Sequence, residues 1–286
     1  MEINIDFGQI IQKKPNKILL QAPEGIKLKI AEIAKEIENK TGAEVIISGE
    51  PCYGACDLPF EAARSAKSDL IVHLGHTDFG VSSDIPVIYF PLEYNIEIPD
   101  NVIEQLKALP QKTVAIFSSV QFKKALDSLE AALKKQGKEI NQKQIILGCS
   151  EIKSEAELNI FIGSGKFHPK ALSGNVLQID IERGEIYDLT CEIKREEMKR
   201  FARLEKLKDA KKVGILLSTK PGQYYKDYGE LKARLEGGGK EAQIIALNEI
   251  TDEKLMGLDF DCFINTACPR ILDSPFKKPI INLRDI

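Results

Sequence analysis

The feature that most constrains this chain is an order of elements that comes round three times. Lys17-Ile18-Leu19-Leu20-Gln21-Ala22 is an apolar run closed by Pro23-Glu24-Gly25, and a stretch with helical periodicity follows from about Ile26 to Thr41. The runs Glu44–Ser48, Leu70–Leu74 and Val87–Phe90 come next, with a short helical stretch at Phe60–Ala66. A second round starts at Thr113–Ser118. It continues through a helix from about Val120 to Gln136 and the runs Gln144–Leu147, Asn159–Ile162 and Val176–Ile179. The third has Val213–Ser218, a helix from about Tyr224 to Glu236, and the runs Ala242–Leu247, Asp261–Asn265 and Pro279–Leu283.

Apolar strands alternating with helices build parallel sheets from right-handed β-α-β units. A period of roughly a hundred residues is too long for a solenoid repeat and suits a small α/β domain. The sequence therefore predicts three α/β domains, each a roughly four-stranded parallel sheet with flanking helices, over one doubly wound sheet. Their expected limits are 1–100, 101–195 and 196–286. Glu97-Ile98-Pro99-Asp100 marks the first boundary, and a charged connector helix over Glu192–Lys212 marks the second.

Composition removes several function classes. The chain has 286 residues and a formal net charge of −3, which gives no general attraction to a phosphate backbone, so no nucleic-acid partner is expected. No apolar run approaches the roughly 20 residues that span a bilayer, and Met1-Glu2-Ile3-Asn4-Ile5-Asp6 lacks the pattern of an export signal. A cytoplasmic protein without a membrane partner is the expectation. Six cysteines in such a chain are read as core residues, metal ligands or redox groups rather than as a disulfide framework.

Open α/β sheets bind ligands at the carboxyl ends of their strands, so the loops there carry the functional argument. They include Pro23-Glu24-Gly25, Gly49–Leu58 with Cys52 and Cys56, and Gly75-His76. In the second round they are Ser119-Val120-Gln121, Gly148-Cys149-Ser150 and Gly163–His168. In the third they are Thr219–Gln223 and Thr266-Ala267-Cys268-Pro269-Arg270. Each round thus carries a cysteine in a strand-end loop. Three thiolates meeting at one point would hold a four-iron cluster and leave one iron open to substrate. Cys262, at the start of an apolar strand, reads as core, and Cys191 as incidental. By spacing alone, Cys52, Cys56, His73 and His76 also match a zinc pattern. His73 and His76, however, stand three apart on an extended chain and are expected to face opposite ways. Neither Gly163-Ser164-Gly165 nor Thr219-Lys220-Pro221-Gly222 has the spacing of a nucleotide loop.

Taken together, Tyr-Gly-Ala-Cys at 53–56, His-x-Gly-His at 73–76, Leu-Gly-Cys at 147–149, Gly-x-Gly-x-Phe-His at 163–168 and Ala-Cys-Pro-Arg at 267–270 resemble the diphthamide-biosynthesis iron–sulfur family, and its archaeal members most. The chain departs from the eukaryotic pattern at Ser164 and Lys166, where Asp and Arg are usual. It departs again at Asn282-Leu283-Arg284, which replaces Asn-Pro-aromatic. The resemblance implies domains in pseudo-threefold arrangement around a central iron–sulfur site. It also implies a 4Fe-4S cluster on Cys56, Cys149 and Cys268, with Cys52 outside the ligand set. The familiar radical-enzyme pattern would need a third cysteine where Pro59 stands.

The implied activity is radical transfer of the 3-amino-3-carboxypropyl group of S-adenosylmethionine to an imidazole carbon of a histidine in translation elongation factor 2. A homodimer and an electron donor are implied with it. Candidates to hold S-adenosylmethionine, by position after strand ends, are Glu24, His76, Gln121, Gly165, Arg270 and Arg284. The alternatives are a quinolinate synthase-like enzyme, an iron–sulfur electron carrier, and a plain α/β binding module.

Overall fold

The computed structural model describes residues 3–286. Helix α1 (Phe7–Gln12) is capped by the Asp6 carboxylate, which accepts from the Gly8 amide at 2.9 Å. Strand β1 (Lys17–Gln21), helices α2 (Glu24–Lys27) and α3 (Ile30–Thr41), strand β2 (Glu44–Ile47), helix α4 (Phe60–Ala66) and strands β3 (Leu70–Gly75) and β4 (Val87–Pro91) follow. They form a parallel sheet in the order β2-β1-β3-β4.

Helix α5 (Asp100–Lys107) leads into β5 (Thr113–Ser118), α6 (Lys123–Lys135), β6 (Glu139–Ile145), β7 (Leu158–Ile162), β8 (Val176–Asp180) and β9 (Glu185–Asp188). Helix α7 (Thr190–Asp209) connects these to β10 (Lys212–Ser218), α8 (Tyr228–Gly237), β11 (Glu241–Leu247), α9 (Asp252–Met256), β12 (Cys262–Asn265) and β13 (Ile280–Asn282). The second sheet runs β6-β5-β7-β8-β9 and the third β11-β10-β12-β13. Every pairing is parallel except β8 with β9.

The three sheets thus share one connectivity: the second strand of each round lies outside the first, and the third and fourth lie on its other side. The strands that become central, β3 and β7, are buried along their whole length. That is the burial a strand between two helical layers needs, and it explains why both are apolar apart from the buried His73 and Asn159. Each sheet packs its own core, for example Ile18, Leu20, Ile37, Val72 and Leu74 in the first and Val213, Ile215, Leu231 and Ile264 in the third.

Measured by compactness, the chain forms two units. One ends at Tyr94 and takes in Lys220–Gln223; the other comprises Asn95–Thr219 and Tyr224–Ile286. The first holds one sheet and the second holds two.

Several expectations shift. The first long helix is two, α2 and α3. Strand β6 begins at Glu139 rather than Gln144, because it is an edge strand whose side chains are mostly exposed and polar. The polar strand β9 adds an antiparallel edge. The connector helix spans Thr190–Asp209 and buries only Ile193 and Leu207, which accounts for its charged sequence. Among the described residues, no helix is long and apolar enough to cross a membrane.

Candidate functional site

In each sheet the chain direction of growth reverses between the first and third strands, so the crevice at their carboxyl ends is the place prepared for a ligand. In the first sheet that crevice is edged by Pro23-Glu24 after β1 and Gly75-His76 after β3. Gly75 adopts φ +91°, and a Cβ there would stand 2.9 Å from the Pro23 ring. Only glycine meets both demands. This left-handed turn reverses the direction expected for the next side chains. His73 and His76 therefore do not face apart: His73 Nε2 and His76 Nδ1 lie 2.9 Å from each other.

His73 is fully buried, and its Nδ1 lies 2.7 Å from Gln21 Oε1. Gln21 in turn donates from Nε2 to the Asp57 carbonyl at 2.8 Å. Burial, with His76 beside it, pushes His73 from 6.5 down to about 3, and burial lowers His76 as well. The buried Cys52 thiol joins the pair, its sulfur and the ring nitrogens lying within 4.8 Å of one another. Burial pushes Cys52 up to about 11, so it stays a thiol.

The depressed His73 value has a stability consequence. Between about pH 6.5 and 3 the unfolded chain binds a proton that folded His73 refuses. Its contribution is complete above pH 6.5 and is lost as pH falls toward 3. Urea midpoints of the wild-type protein should fall more steeply between pH 6.5 and 4.5 than those of His73→Gln. Parallel slopes would contradict the assignment.

Cys56 is half-buried in the loop after β2. The turn Lys220–Gln223, which follows β10 in sequence, is built onto this loop. Lys220 Nζ lies 2.7 Å from Asp57 Oδ2, with both side chains almost out of solvent, and 5.0 Å from the Tyr53 ring centroid. The Gly222 amide donates to the Cys56 carbonyl at 3.1 Å, and Gln223 Nε2 approaches Cys56 Sγ at 3.6 Å. A Cβ on Gly222 would fall 2.4 Å from Cys56 Cα, so no larger residue fits without moving the cysteine. Glu24 opens α2, pairs with Lys27 and is mostly exposed. Lys27 Nζ also donates to the Gly49 and Glu50 carbonyls at 3.2 and 2.9 Å, tying α2 to the start of the cysteine loop.

In the second unit the Cys149 turn is closed by Ser150, whose Oγ accepts from the Leu147 amide at 3.0 Å. Cys149 is exposed; burial of its sulfur raises its pKa while the Arg284 charge opposes this. Gly148 lies against the Phe167 ring, where a Cβ would come within 2.4 Å. The Arg270 guanidinium stacks 5.1 Å from that ring's centroid. Phe167 therefore brings the Cys149 loop, the 163–168 loop and the Cys268-Arg270 turn together.

Gln178 holds the 163–168 loop by donating to the Gly163 and Gly165 carbonyls at 2.7 and 2.9 Å. The Cys268 turn is held by Asn265, which donates to the Cys268 carbonyl at 3.0 Å and accepts from the Ala267 amide at 3.0 Å. Arg270 reaches Asp273 at 3.7 Å. Arg284 pairs with the buried Asp285, which Arg200 also holds at 2.5 Å. Gln121 sits in a single 3-10 turn after β5.

Among the described residues, no two cysteines are joined by a disulfide. Cys262 is buried in β12, as expected, and burial pushes it up to about 11. Cys191 opens α7. The sequence places Asp57, Lys220, Gly222, Gln223 and Phe167 in strand-end loops beside the three loop cysteines, but it does not show their contacts, which join loops far apart in sequence.

The model of the family described as "Putative diphthamide synthesis protein" matches residues 22–286. The chain belongs to the diphthamide synthesis family. The motif resemblance is thereby borne out, and so is the α/β fold class, since Dph2 from Pyrococcus horikoshii superposes with a TM-score of 0.87 at 28% identity, over 100% of this chain and 90% of that one. A second crystal structure of that diphthamide-family protein, described as carrying a 4Fe-4S cluster, matches with a TM-score of 0.86 over 100% of this chain and 89% of the other. Two archaeal relatives are named 2-(3-amino-3-carboxypropyl)histidine synthase. The one from Pyrococcus horikoshii is 30% identical, with 94% of this chain and 84% of the relative covered. That from Methanocaldococcus jannaschii is also 30% identical, covering 97% and 87%.

Proposed function

We propose that this chain transfers the 3-amino-3-carboxypropyl group of S-adenosylmethionine to an imidazole carbon of a histidine in elongation factor 2, with a 4Fe-4S cluster held by Cys56, Cys149 and Cys268. The observation that carries this reading is the sorting of the thiols. One accessible thiol stands in a strand-end loop of each sheet, with its loop held by polar contacts. Cys52 and Cys262 are buried, and the exposed Cys191 lies within helix α7 rather than in a strand-end loop. Accessible thiols on short clamped turns are the donor set an iron–sulfur group takes.

When bound, such a cluster supplies one electron to break a carbon–sulfur bond of the sulfonium, chemistry that side chains alone cannot provide. The protein's part is to choose which of the three carbon–sulfur bonds reacts, by orienting the donor. Arg270 and Arg284 suit its carboxylate. Glu24, His76, Gln121 and the Gly165 backbone are the remaining candidates for its amine and nucleoside. The three sheets correspond to domains 1–100, 101–195 and 196–286, each delivering one cysteine. A second copy of the chain, an electron donor and a cytoplasmic setting complete the proposal.

Anaerobic incubation of the iron- and sulfide-reconstituted protein with S-adenosylmethionine, dithionite and elongation factor 2 should add one aminocarboxypropyl group to the factor, read by mass spectrometry. Methylthioadenosine should appear in equal amount. An unmodified factor under conditions where the cluster is intact and reducible would overturn the reading.

A further inference from the structure

The hydrogen bonds behind His76 run in one direction, and that direction fixes where its proton sits. Gln21 uses its amide nitrogen on the Asp57 carbonyl at 2.8 Å, so it turns its oxygen to His73. An amide oxygen only accepts, so His73 carries its proton on Nδ1, 2.7 Å away. With burial holding His73 uncharged, its Nε2 is a lone pair. The 2.9 Å contact from that nitrogen to His76 Nδ1 is a hydrogen bond only if His76 donates. His76, also kept from protonating by burial, is left with a bare Nε2. That nitrogen has no partner among the described residues and is not one of the enclosed unsatisfied atoms. His76 follows the glycine turn at the carboxyl end of β3, at the crevice where the fold prepares a ligand site.

We propose that His76 meets the donor substrate as a neutral, Nδ1-protonated imidazole whose Nε2 accepts an N–H of S-adenosylmethionine, with His73 and Gln21 as positioning residues that fix this tautomer. The inference rests on the reading of this chain as an S-adenosylmethionine enzyme. The logic is electrostatic: the donor carries a sulfonium and an α-ammonium, and an imidazolium would repel both, whereas a lone pair accepts from either N–H source it offers, the ammonium or the adenine amine.

The same three donor atoms, Cys52 Sγ and the two ring nitrogens, form a possible metal set. The relay is favoured because the histidines already bond each other and Cys52 holds its proton, with Sγ 3.9 Å from the Gly54 carbonyl.

The chain has three histidines, so ¹⁵N-histidine labelling of the full-length protein resolves each ring. At neutral pH, His73 and His76 should both appear as neutral Nδ1–H tautomers. S-adenosylhomocysteine should shift the His76 Nε2 signal and leave its Nδ1 signal in place. Gln21→Leu and His73→Phe should lose the fixed His76 tautomer and bind S-adenosylhomocysteine about tenfold more weakly, with unchanged circular dichroism. Weakened binding of methylthioadenosine as well, in His76→Leu, would identify the adenine amine as the N–H; weakening of S-adenosylhomocysteine alone would identify the ammonium.

An Nε2–H tautomer or a cationic His76 would overturn the proposal. So would stoichiometric Zn²⁺ uptake abolished by Cys52→Ala. Failure of S-adenosylhomocysteine to bind the wild-type protein would instead remove the parent reading, while the tautomer seen in the free chain would still decide the relay.

Discussion

Replacing Lys220 by methionine should destabilise the first unit by roughly 3–5 kcal/mol, the cost of leaving a buried carboxylate without its partner. Lys220 and Asp57 are 10% and 12% exposed and 2.7 Å apart. An exposed pair such as Lys212 with Asp259 stays solvated when one partner is removed, so the same change there should leave the midpoint near wild type. The difference is desolvation: water cannot take over from the lysine that has gone. The double variant Lys220→Met/Asp57→Leu should recover much of the loss, because a buried pair replaced by apolar groups of similar size is often neutral. Urea denaturation followed at several wavelengths checks both. A single variant with the wild-type midpoint would mean that the pair does not fasten the Lys220–Gln223 turn to the cysteine loop.

Gly222→Ala should have the largest effect on function of any change outside the cysteines. The added Cβ would sit 2.4 Å from Cys56 Cα and 2.6 Å from its carbonyl oxygen. Both are backbone atoms, so no rotamer change relieves the clash, and one of the two loops must move. Such a movement also breaks the 3.1 Å bond from Gly222 to the Cys56 carbonyl and withdraws Gln223 from the sulfur. Hydrogen bonds to a ligating sulfur are among the levers that set a cluster's potential. The variant should fold, with circular dichroism near wild type, and should take up little or no cluster on reconstitution. Gly25→Ala is the control: nothing lies within 4 Å of its Cβ, and the position is helical, where alanine is favoured by up to about 1 kcal/mol. Full cluster uptake by Gly222→Ala would show that the contact has no part in placing Cys56.

What the sequence disclosed follows from what local patterns encode. The strands β1, β3, β5, β7, β10 and β12 are legible because strands between two helical layers are mostly apolar, with single buried polar residues such as His73 and Asn159. Strand β6 was placed late because an edge strand reading Glu-Ile-Asn-Gln-Lys-Gln-Ile shows no apolar run until its end. The short helices α5 and α9 follow Pro99 and Thr251 in stretches that read as linkers. In the site, Cys56, Cys149 and Cys268 stood out because each lies where a strand gives way to a glycine- or proline-bearing turn.

In the sequence, Lys220 and Gly222 show only as part of a strand-end loop. Their partners lie more than 160 residues earlier, a separation no local pattern records. Strand alternation predicts that His73 and His76 diverge, but the alternation stops at Gly75. The left-handed Gly75 ends the strand between them and turns the second ring back onto the first.

On the function proposed above, three cysteines, one from each round of the fold, hold the redox group, and the C-x3-C partner Cys52 does not. Iron and acid-labile sulfide counted after anaerobic reconstitution test it most directly. Cys56→Ala, Cys149→Ala and Cys268→Ala should each lose the intact four-iron cluster, while Cys52→Ala should retain it at the wild-type level. A full cluster in any of the first three, or its loss in Cys52→Ala, would contradict the account.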